Sequence, residues 1–240
     1  MVHYERRGAA ALVTIDRPER RNAVDGPTAA ALLDAYERFA ADDDARVLVL
    51  TGAGGTFCAG ADLKALETLD VDAPAGPMGF TRLTPVKPAI AAIGGCCVAG
   101  GLELALWCDL RVAAEGARFG CLERRWGVPL LDGGTQRLPR VVGLGRALDL
   151  ILTGRVVEAQ EALSIGLVGE LVPDGREVER ALELAAAIAG LPQATLLSDR
   201  EATHAALGLS LADGLALEAR LGRERIATAL RGAQRFRVRP

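Results

Sequence analysis

The spacing of apolar residues divides the chain into alternating short strands and helices. Residues 10–16, AALVTID, read as a strand that ends in a polar turn, Arg17 to Asn22. Residues 27–40 place Ala31, Leu32, Ala35 and Phe39 at helical spacing, with Pro27 suited to a first turn. Asp42 to Asp44 make a solvated turn. Arg46 then opens RVLVLT, a continuous apolar run of strand length, the pattern of a strand buried on both faces. A Gly-rich loop follows, and ADLKALETL after it reads as helical. Residues 70–87 hold Pro74, Pro77 and Pro85 before the Lys87-Pro88 pair, which marks a loop and candidate mobile lid. Pro88 opens a second buried strand, AIAAI, followed by Gly94-Gly95 and a helical run, LELALWCDL. Short elements alternate to about 173, and from 176 the pattern is mostly helical. The expected fold is an α/β core over residues 1–175 with a C-terminal helical region over 176–240.

One internal echo sharpens this. GGTFCAGADLKAL (54–66) aligns with GGCCVAGGLELAL (94–106), with six of thirteen positions identical at an offset of 40. Each copy follows an apolar strand and leads toward a helical pattern. Two copies of one supersecondary unit predict a coiled, repeated strand–strand–helix build in place of a single Rossmann sheet.

Composition narrows the classes. A chain of 240 residues with half its residues hydrophobic has enough apolar surface for one sizeable core. The net charge of −3 argues against a nucleic-acid binder, which would present a basic face. Only His3 and His204 exist, one at the extreme N-terminus and one in an Ala-rich stretch, which disfavours a Ser-His-Asp triad or a His-rich metal site. The longest charge-free run is about 15 residues, short of a membrane span, and Met1 to Arg7 contains no signal-type apolar region. Cys58, Cys96, Cys97, Cys108 and Cys121 are odd in number and form no CxxC, as expected of buried thiols in a reducing compartment. A cytoplasmic location is therefore expected. Two of the 28 basic residues are lysine, Lys64 and Lys87; the arginine excess, with the abundant alanine, reads as codon bias.

The chemistry concentrates at the echoed loops. Gly-rich strand-to-helix turns leave backbone N–H groups unpaired next to the positive end of a helix. Two such turns brought together would make an oxyanion hole; the alternatives are an anion site or tight packing. Glu103 lies in an otherwise apolar run, GLELALW, and Glu123 follows FGCL ahead of Arg124, Arg125 and Trp126. A glutamate in such a stretch either pairs with an arginine or has a raised pKa suited to proton transfer. Asp132, before Gly-Gly-Thr-Gln-Arg-Leu, is expected to cap a helix, with a pocket-facing carboxylate as the alternative.

Several motifs, in order, resemble the crotonase (enoyl-CoA hydratase/isomerase) superfamily. They are DRPERRNAV (16–24), GTFCAGADLKAL (55–66), IAAIGGCCVAGGLELALWCD (90–109), ARFGCLE (117–123), GGTQRLPRVVG (133–143) and LTGRVVEAQEALSIGLVGELV (152–172). The resemblance implies a spiral of strand–strand–helix units, with C-terminal helices that help form a homotrimer or a dimer of trimers. It implies an acyl-CoA thioester substrate, with no metal or redox cofactor, since coenzyme A arrives as part of the substrate. By motif position the oxyanion donors would be the amides of Ala61 and Gly100, and the two glutamates that hold the water Glu103 and Glu123. Substrate contacts would fall at Arg21, Ala23, Ala59, Asp62, Leu63 and Lys64. Because both glutamates are present, the resemblance favours hydration. Isomerisation or thioester hydrolysis on the same scaffold, or a non-catalytic binding subunit, are the alternatives.

The chain departs from the family pattern in three places. Val128-Pro-Leu-Leu-Asp-Gly-Gly replaces a Pro-Gly-Ala-Gly-Gly type run, which puts Asp132 beside the expected acyl pocket. Arg124, Arg125 and Trp126 are bulkier and more charged than the usual apolar residues. The ending RFRVRP is shorter than typical, which bears on the final helix and its oligomer contacts.

Overall fold

The structure, a computed structural model, describes residues 1–238; the last two residues of the RFRVRP tail lie outside the described residues. β1 (Val2–Arg7) and β2 (Ala10–Ile15) form an antiparallel hairpin, whose turn uses Gly8 at φ 61°. β2 pairs in parallel with β3 (Val47–Gly52), and β3 with β4 (Ala89–Ile93). β5 (Cys96–Val98) leaves for a second sheet before β6 (Leu110–Ala114) returns to pair with β4. β7 (Arg118–Gly120) and β8 (Val157–Glu158) extend that second sheet, and β9 (Glu170–Val172) closes the first. The first sheet runs β1-β2-β3-β4-β6-β9 and the second β5-β7-β8.

Strands are thus added to the first sheet in one direction, with no reversal of strand order. Between strands of the first sheet the chain visits the second: the Cys58 segment bridges Cys97 between β3 and β4, β5 lies between β4 and β6, and β7 and β8 lie between β6 and β9. The echoed loops are successive turns of this spiral. Phe57 N–H donates to Gly94 O (2.8 Å), Cys58 N–H to Cys96 O (2.9 Å) and Val98 N–H to Cys58 O (3.1 Å), so the two copies lie side by side.

Helices pack around this frame: α1 (Gly26–Ala41), α2 (Gly100–Trp107), α3 (Gly134–Val142), α4 (Leu144–Thr153) and α5 (Ala159–Ser164). α1 begins where Asp25 accepts from Thr28 N–H (2.9 Å), and it buries Leu32, Tyr36 and Phe39. α2 is buried almost all round, as its near-continuous apolar run requires.

Two expectations are corrected. ADLKALETL does not form an α-helix; only Leu66–Thr68 makes a 3-10 turn. Long-range bonds override its helical pattern. Asp62 N–H donates to Val24 O (2.8 Å), and the Asp62 carboxylate meets Arg17 (3.2 Å) and accepts from Lys64 N–H (3.1 Å). The 70–87 loop is pinned into the core, not a free lid. Phe80 lies 4.4 Å, centroid to centroid, from Trp107, whose Nε1–H donates to Leu83 O (2.7 Å). Arg82 donates to the carbonyls of Val71 and Ala73.

The chain divides into two compact units, Met1–Ala186 and Ala187–Pro240. The boundary falls inside α6 (Glu177–Ala189), where the sequence suggested 175/176. Ala181 and Ala185 of α6 are fully buried, which ties most of that helix to the first unit. The second unit holds α7 (Gln193–Ala206), α8 (Leu211–Glu224) and α9 (Ile226–Val238). The apolar stretch 205–221 is broken there, because Ser210 caps α8 by accepting from Asp213 N–H (3.2 Å).

Candidate active site

The first unit contains a cavity of about 360 Å³, reached by both echoed loops, by Met78 and by the Leu122–Asp132 segment. Gly60 adopts φ +95°, and a Cβ there would stand 2.8 Å from Ala99 Cβ and 2.9 Å from Gly100 N. Only glycine permits this approach, which sets Ala61 beside Gly100 on the cavity wall. Ala99 itself takes φ 53° and ψ −130°, an uncommon conformation for a side chain with a Cβ, and its N–H is held by Gly120 O (2.9 Å). Gly100 follows as the first residue of α2. Among the described residues, neither the Ala61 nor the Gly100 amide has an acceptor. Two free donors on one cavity wall, one of them at a helix N-terminus, are what an oxyanion hole would require.

Glu103, one turn into α2, is buried and lines the same cavity. Its Oε1 accepts from Asp132 N–H (2.9 Å) and Gly134 N–H (2.7 Å). Burial pushes its pKa up to about 7; the two amides oppose the shift, and the Asp132 and Glu123 carboxylates reinforce it. Glu123 begins the 3-10 turn Leu122–Trp126 and is also buried. Both its carboxylate oxygens are buried without a hydrogen-bond partner among the described residues. Its pKa is raised, chiefly by burial, with its own backbone amide and the Arg124 charge acting in the other direction. Neither glutamate forms an ion pair among the described residues, so the arginine-pairing alternative is not what the fold adopts. One carboxylate is fixed by backbone and the other is free to take a ligand.

Asp132 is buried and lines the cavity, but it is not the helix cap expected from sequence. Gly133, at φ +97°, precedes α3 in that position with no side-chain capping bond. The Asp132 carboxylate instead accepts from Met78 N–H (3.0 Å) and from the Thr81 hydroxyl. Arg137 ties the same joint, donating to Asp132 O (2.8 Å) and Thr81 O (2.6 Å). Burial raises the Asp132 pKa, against those hydrogen bonds and the nearby Arg82 and Arg137 charges.

Arg21, Ala59 and Leu63 line the cavity with Ala61, Gly100, Glu103, Glu123 and Asp132. Ala23, Asp62 and Lys64 do not. Ala23 is buried, with its carbonyl accepting from Arg17, and Asp62 is held by Arg17, which also pairs with Asp25 (2.7 Å). Lys64 is exposed. Arg17 is the organising residue that the sequence did not single out; its only signal was a cation in a polar turn. Arg124 and Arg125 also stay out of the cavity, donating to the carbonyls of Ile151 and Gly154 at the end of α4. Of that trio only Trp126 lines it.

The sequence model of the enoyl-CoA hydratase/isomerase family matches residues 5–238. The chain belongs to this family. Among its relatives is the enoyl-CoA hydratase EchA19 of Mycobacterium tuberculosis, 42% identical over 210 residues, which cover 82% of this chain and 79% of the relative. The crystal structure of the enoyl-CoA hydratase EchA1 from Mycobacterium marinum superimposes with a TM-score of 0.93 at 36% identity, covering 98% of this chain and 94% of that one. The enoyl-CoA hydratase structure from Bacillus anthracis gives a TM-score of 0.90 at 34% identity, covering 98% and 95%. The fold is the crotonase spiral, and the chain is an enzyme of the hydratase/isomerase family.

Proposed function

We propose that this enoyl-CoA hydratase-type enzyme adds water across the 2,3 double bond of an acyl-CoA thioester using Glu103, Glu123 and the amides of Ala61 and Gly100. The thioester carbonyl accepts from the two amides, which carry no other load and stabilise the enolate oxygen that develops as water attacks. A water sits between the carboxyl groups. Its oxygen adds at C3, Glu123 gives a proton to C2, and the water's released proton returns to the carboxyl pair. The net change is one water gained. Glu103, its pKa pushed up to about 7, is partly protonated near neutrality, and burial moves the Glu123 pKa in the same direction, as such a transfer needs.

The observation that carries this reading is the buried, unpartnered carboxylate of Glu123 on the same cavity wall as the amide-bound Glu103. Coenzyme A enters as part of the substrate, through the side holding Arg21, Ala59 and Leu63, and no separate cofactor is required. The protein works in the cytoplasm as a homotrimer or dimer of trimers. Support for this comes from five free thiols and from outward-facing leucines on α4 and α8. Among the described residues no single helix is long and apolar enough to cross a membrane.

The test is a panel of acyl-CoA thioesters incubated with purified protein and read by mass spectrometry. A gain of one water is the expected result. An unchanged mass with a moved double bond, or release of free CoA, would replace hydration by isomerisation or hydrolysis.

A further inference from the structure

Arg17 lies outside the cavity, yet its side chain reaches both segments that set the Ala61 amide. Ala61 forms an isolated parallel bridge with Val24: Val24 N–H donates to Gly60 O (2.8 Å) and Asp62 N–H to Val24 O (2.8 Å). With both its neighbours bonded to Val24, Ala61 turns its own N–H the opposite way, onto the cavity side. The direction of that donor is therefore set by where Val24 sits. The Arg17 guanidinium holds the residues on either side of Val24, donating to Ala23 O and pairing with Asp25 (2.7 Å). It also meets Asp62 (3.2 Å), the residue after Ala61. Asp25 is itself fixed at the start of α1, where it accepts from Thr28 N–H (2.9 Å) and the Thr28 hydroxyl (2.6 Å). One cation thus links α1 to the donor loop. The side chains of Arg17, Asp25 and Asp62 are only 16%, 17% and 8% exposed, so little water reaches them to replace these contacts.

We infer that Arg17 is a positioning residue for the oxyanion donor, its guanidinium fixing the aim of the Ala61 amide by tying Ala23, Asp25 and Asp62 together. The three acceptors are served by a planar fork, Nη1 donating to Ala23 O and Nη2 to both carboxylates. An ammonium in the same place keeps the charge that both acids need, but as a single point it does not hold three acceptors in that geometry. Asp25 would stay on Thr28, while Ala23 and Asp62 would be free to move, and Ala61 with them. A donor displaced by about 1 Å still leaves the substrate bound but loses much of its worth to the charge that develops on the oxygen. The turn itself does not depend on the guanidinium. Arg17 N–H donates to Asn22 Oδ1 (2.9 Å) and Asn22 Nδ2 to Ala53 O (2.9 Å), bonds that a changed side chain at position 17 leaves in place.

The inference rests on the proposed role of the Ala61 amide, and its test separates it from hydration. Arg17→Lys is compared with wild type by circular dichroism, by steady-state kinetics on the best enoyl-CoA found, and by difference infrared spectroscopy. The infrared probe is unreactive hexanoyl-CoA carrying carbon-13 at the thioester carbonyl, whose C=O stretch falls as hydrogen bonds to the oxygen strengthen. The expected result is a folded variant with kcat lowered about 10–100-fold. The hexanoyl-CoA Kd is expected to change by no more than about fivefold. The carbonyl stretch, lowered on binding to wild type, should move back toward its free value in the variant. Should Arg17→Lys fail to fold, Asp62→Ala removes one of the three acceptors and is expected to show the same signature. A folded variant with the wild-type carbonyl stretch overturns the inference, even if it melts at a lower temperature, because Arg17 then acts on stability alone. A wild type that leaves the stretch at its free value overturns it together with the oxyanion hole. If wild type lowers the stretch but no enoyl-CoA gains water, the hydration reading fails while the variant's stretch still decides the role of Arg17.

Discussion

At the scale of single residues the site depends on two glutamates treated differently by the fold. Glu123 has both oxygens free for a ligand, so Glu123→Gln is expected to keep the fold and lose about 10²–10⁴ in turnover. Circular dichroism and kcat on the best enoyl-CoA found check this; normal turnover removes Glu123 as proton donor. Glu103 makes a second prediction through pH. Its folded pKa of about 7 lies above the 4.5 of a free glutamate, so the folded state holds its proton more tightly. Stability from this group is therefore fully present below about pH 4.5 and is lost as pH rises through about 7. The cost once both states are ionised is on the order of 3 kcal/mol. Gln keeps the acceptor for the Asp132 and Gly134 amides without the charge. Glu103→Gln is thus expected to raise thermal stability by ~1–3 kcal/mol at pH 8 and by less than about 1 kcal/mol at pH 5, while damaging hydration. An equal effect at both values would show that burial does not perturb this carboxyl. Both glutamates were legible in the sequence because an acid in an apolar run is rare. Their opposite hydrogen-bonding states were not, since the amides that bind Glu103 come from a segment about thirty residues away.

The elements decide how closely the two donor loops approach. Gly60→Ala would force a Cβ to 2.8 Å from Ala99 Cβ and 2.9 Å from Gly100 N at φ +95°. The expected outcome is destabilisation of ~2 kcal/mol or more and a turnover loss of about 10²–10³, the usual worth of one displaced oxyanion donor. Urea unfolding and steady-state kinetics measure the two effects; a variant with wild-type kinetics would separate the Gly60–Gly100 contact from catalysis. Asp132 connects the 70–87 loop to α3 through Met78 N–H and Thr81. Asp132→Asn retains an acceptor for both, so its kcat and KM are expected within about threefold of wild type, whereas Asp132→Ala leaves buried donors unsatisfied at ~1–3 kcal/mol and raises KM. A large kcat loss in Asp132→Asn alone would place the carboxylate in the chemistry. Strands β3 and β4 were readable because RVLVLT and AIAAI are apolar runs buried on both faces. ADLKALETL misled because its helical spacing is local while its real partners, Val24 and Arg17, lie about forty residues earlier. The Asp132 cap failed for the same reason, with Thr81 and Met78 more than fifty residues away.

For the whole molecule, the Gly-rich echo was the most informative sequence signal, because two copies at an offset of 40 describe successive turns of a spiral. Apolar patterning also reports what the isolated chain leaves uncovered. On α4, Leu144, Leu148 and Leu152 recur at intervals of four and are 66%, 43% and 71% exposed. On α8, Leu211 and Leu215 are 80% and 54% exposed, and on α9 Ile226 and Leu230 are 57% and 60% exposed. Single exposed leucines need no explanation, but aligned stripes on three helices exceed what a monomer usually tolerates. Burying each such side chain gains roughly 1.5–3 kcal/mol, enough in sum to hold an assembly against its association entropy. A trimer or a multiple of it is therefore expected by light scattering at micromolar concentration. The double variant Leu148→Glu, Leu152→Glu sets two charges into the α4 stripe while leaving buried Ala147 and Leu150 in place. It is expected to fold and to shift the population toward monomer. A monomeric wild type at micromolar concentration would sink the assembly, and a double variant with unchanged mass would remove α4 from its interface.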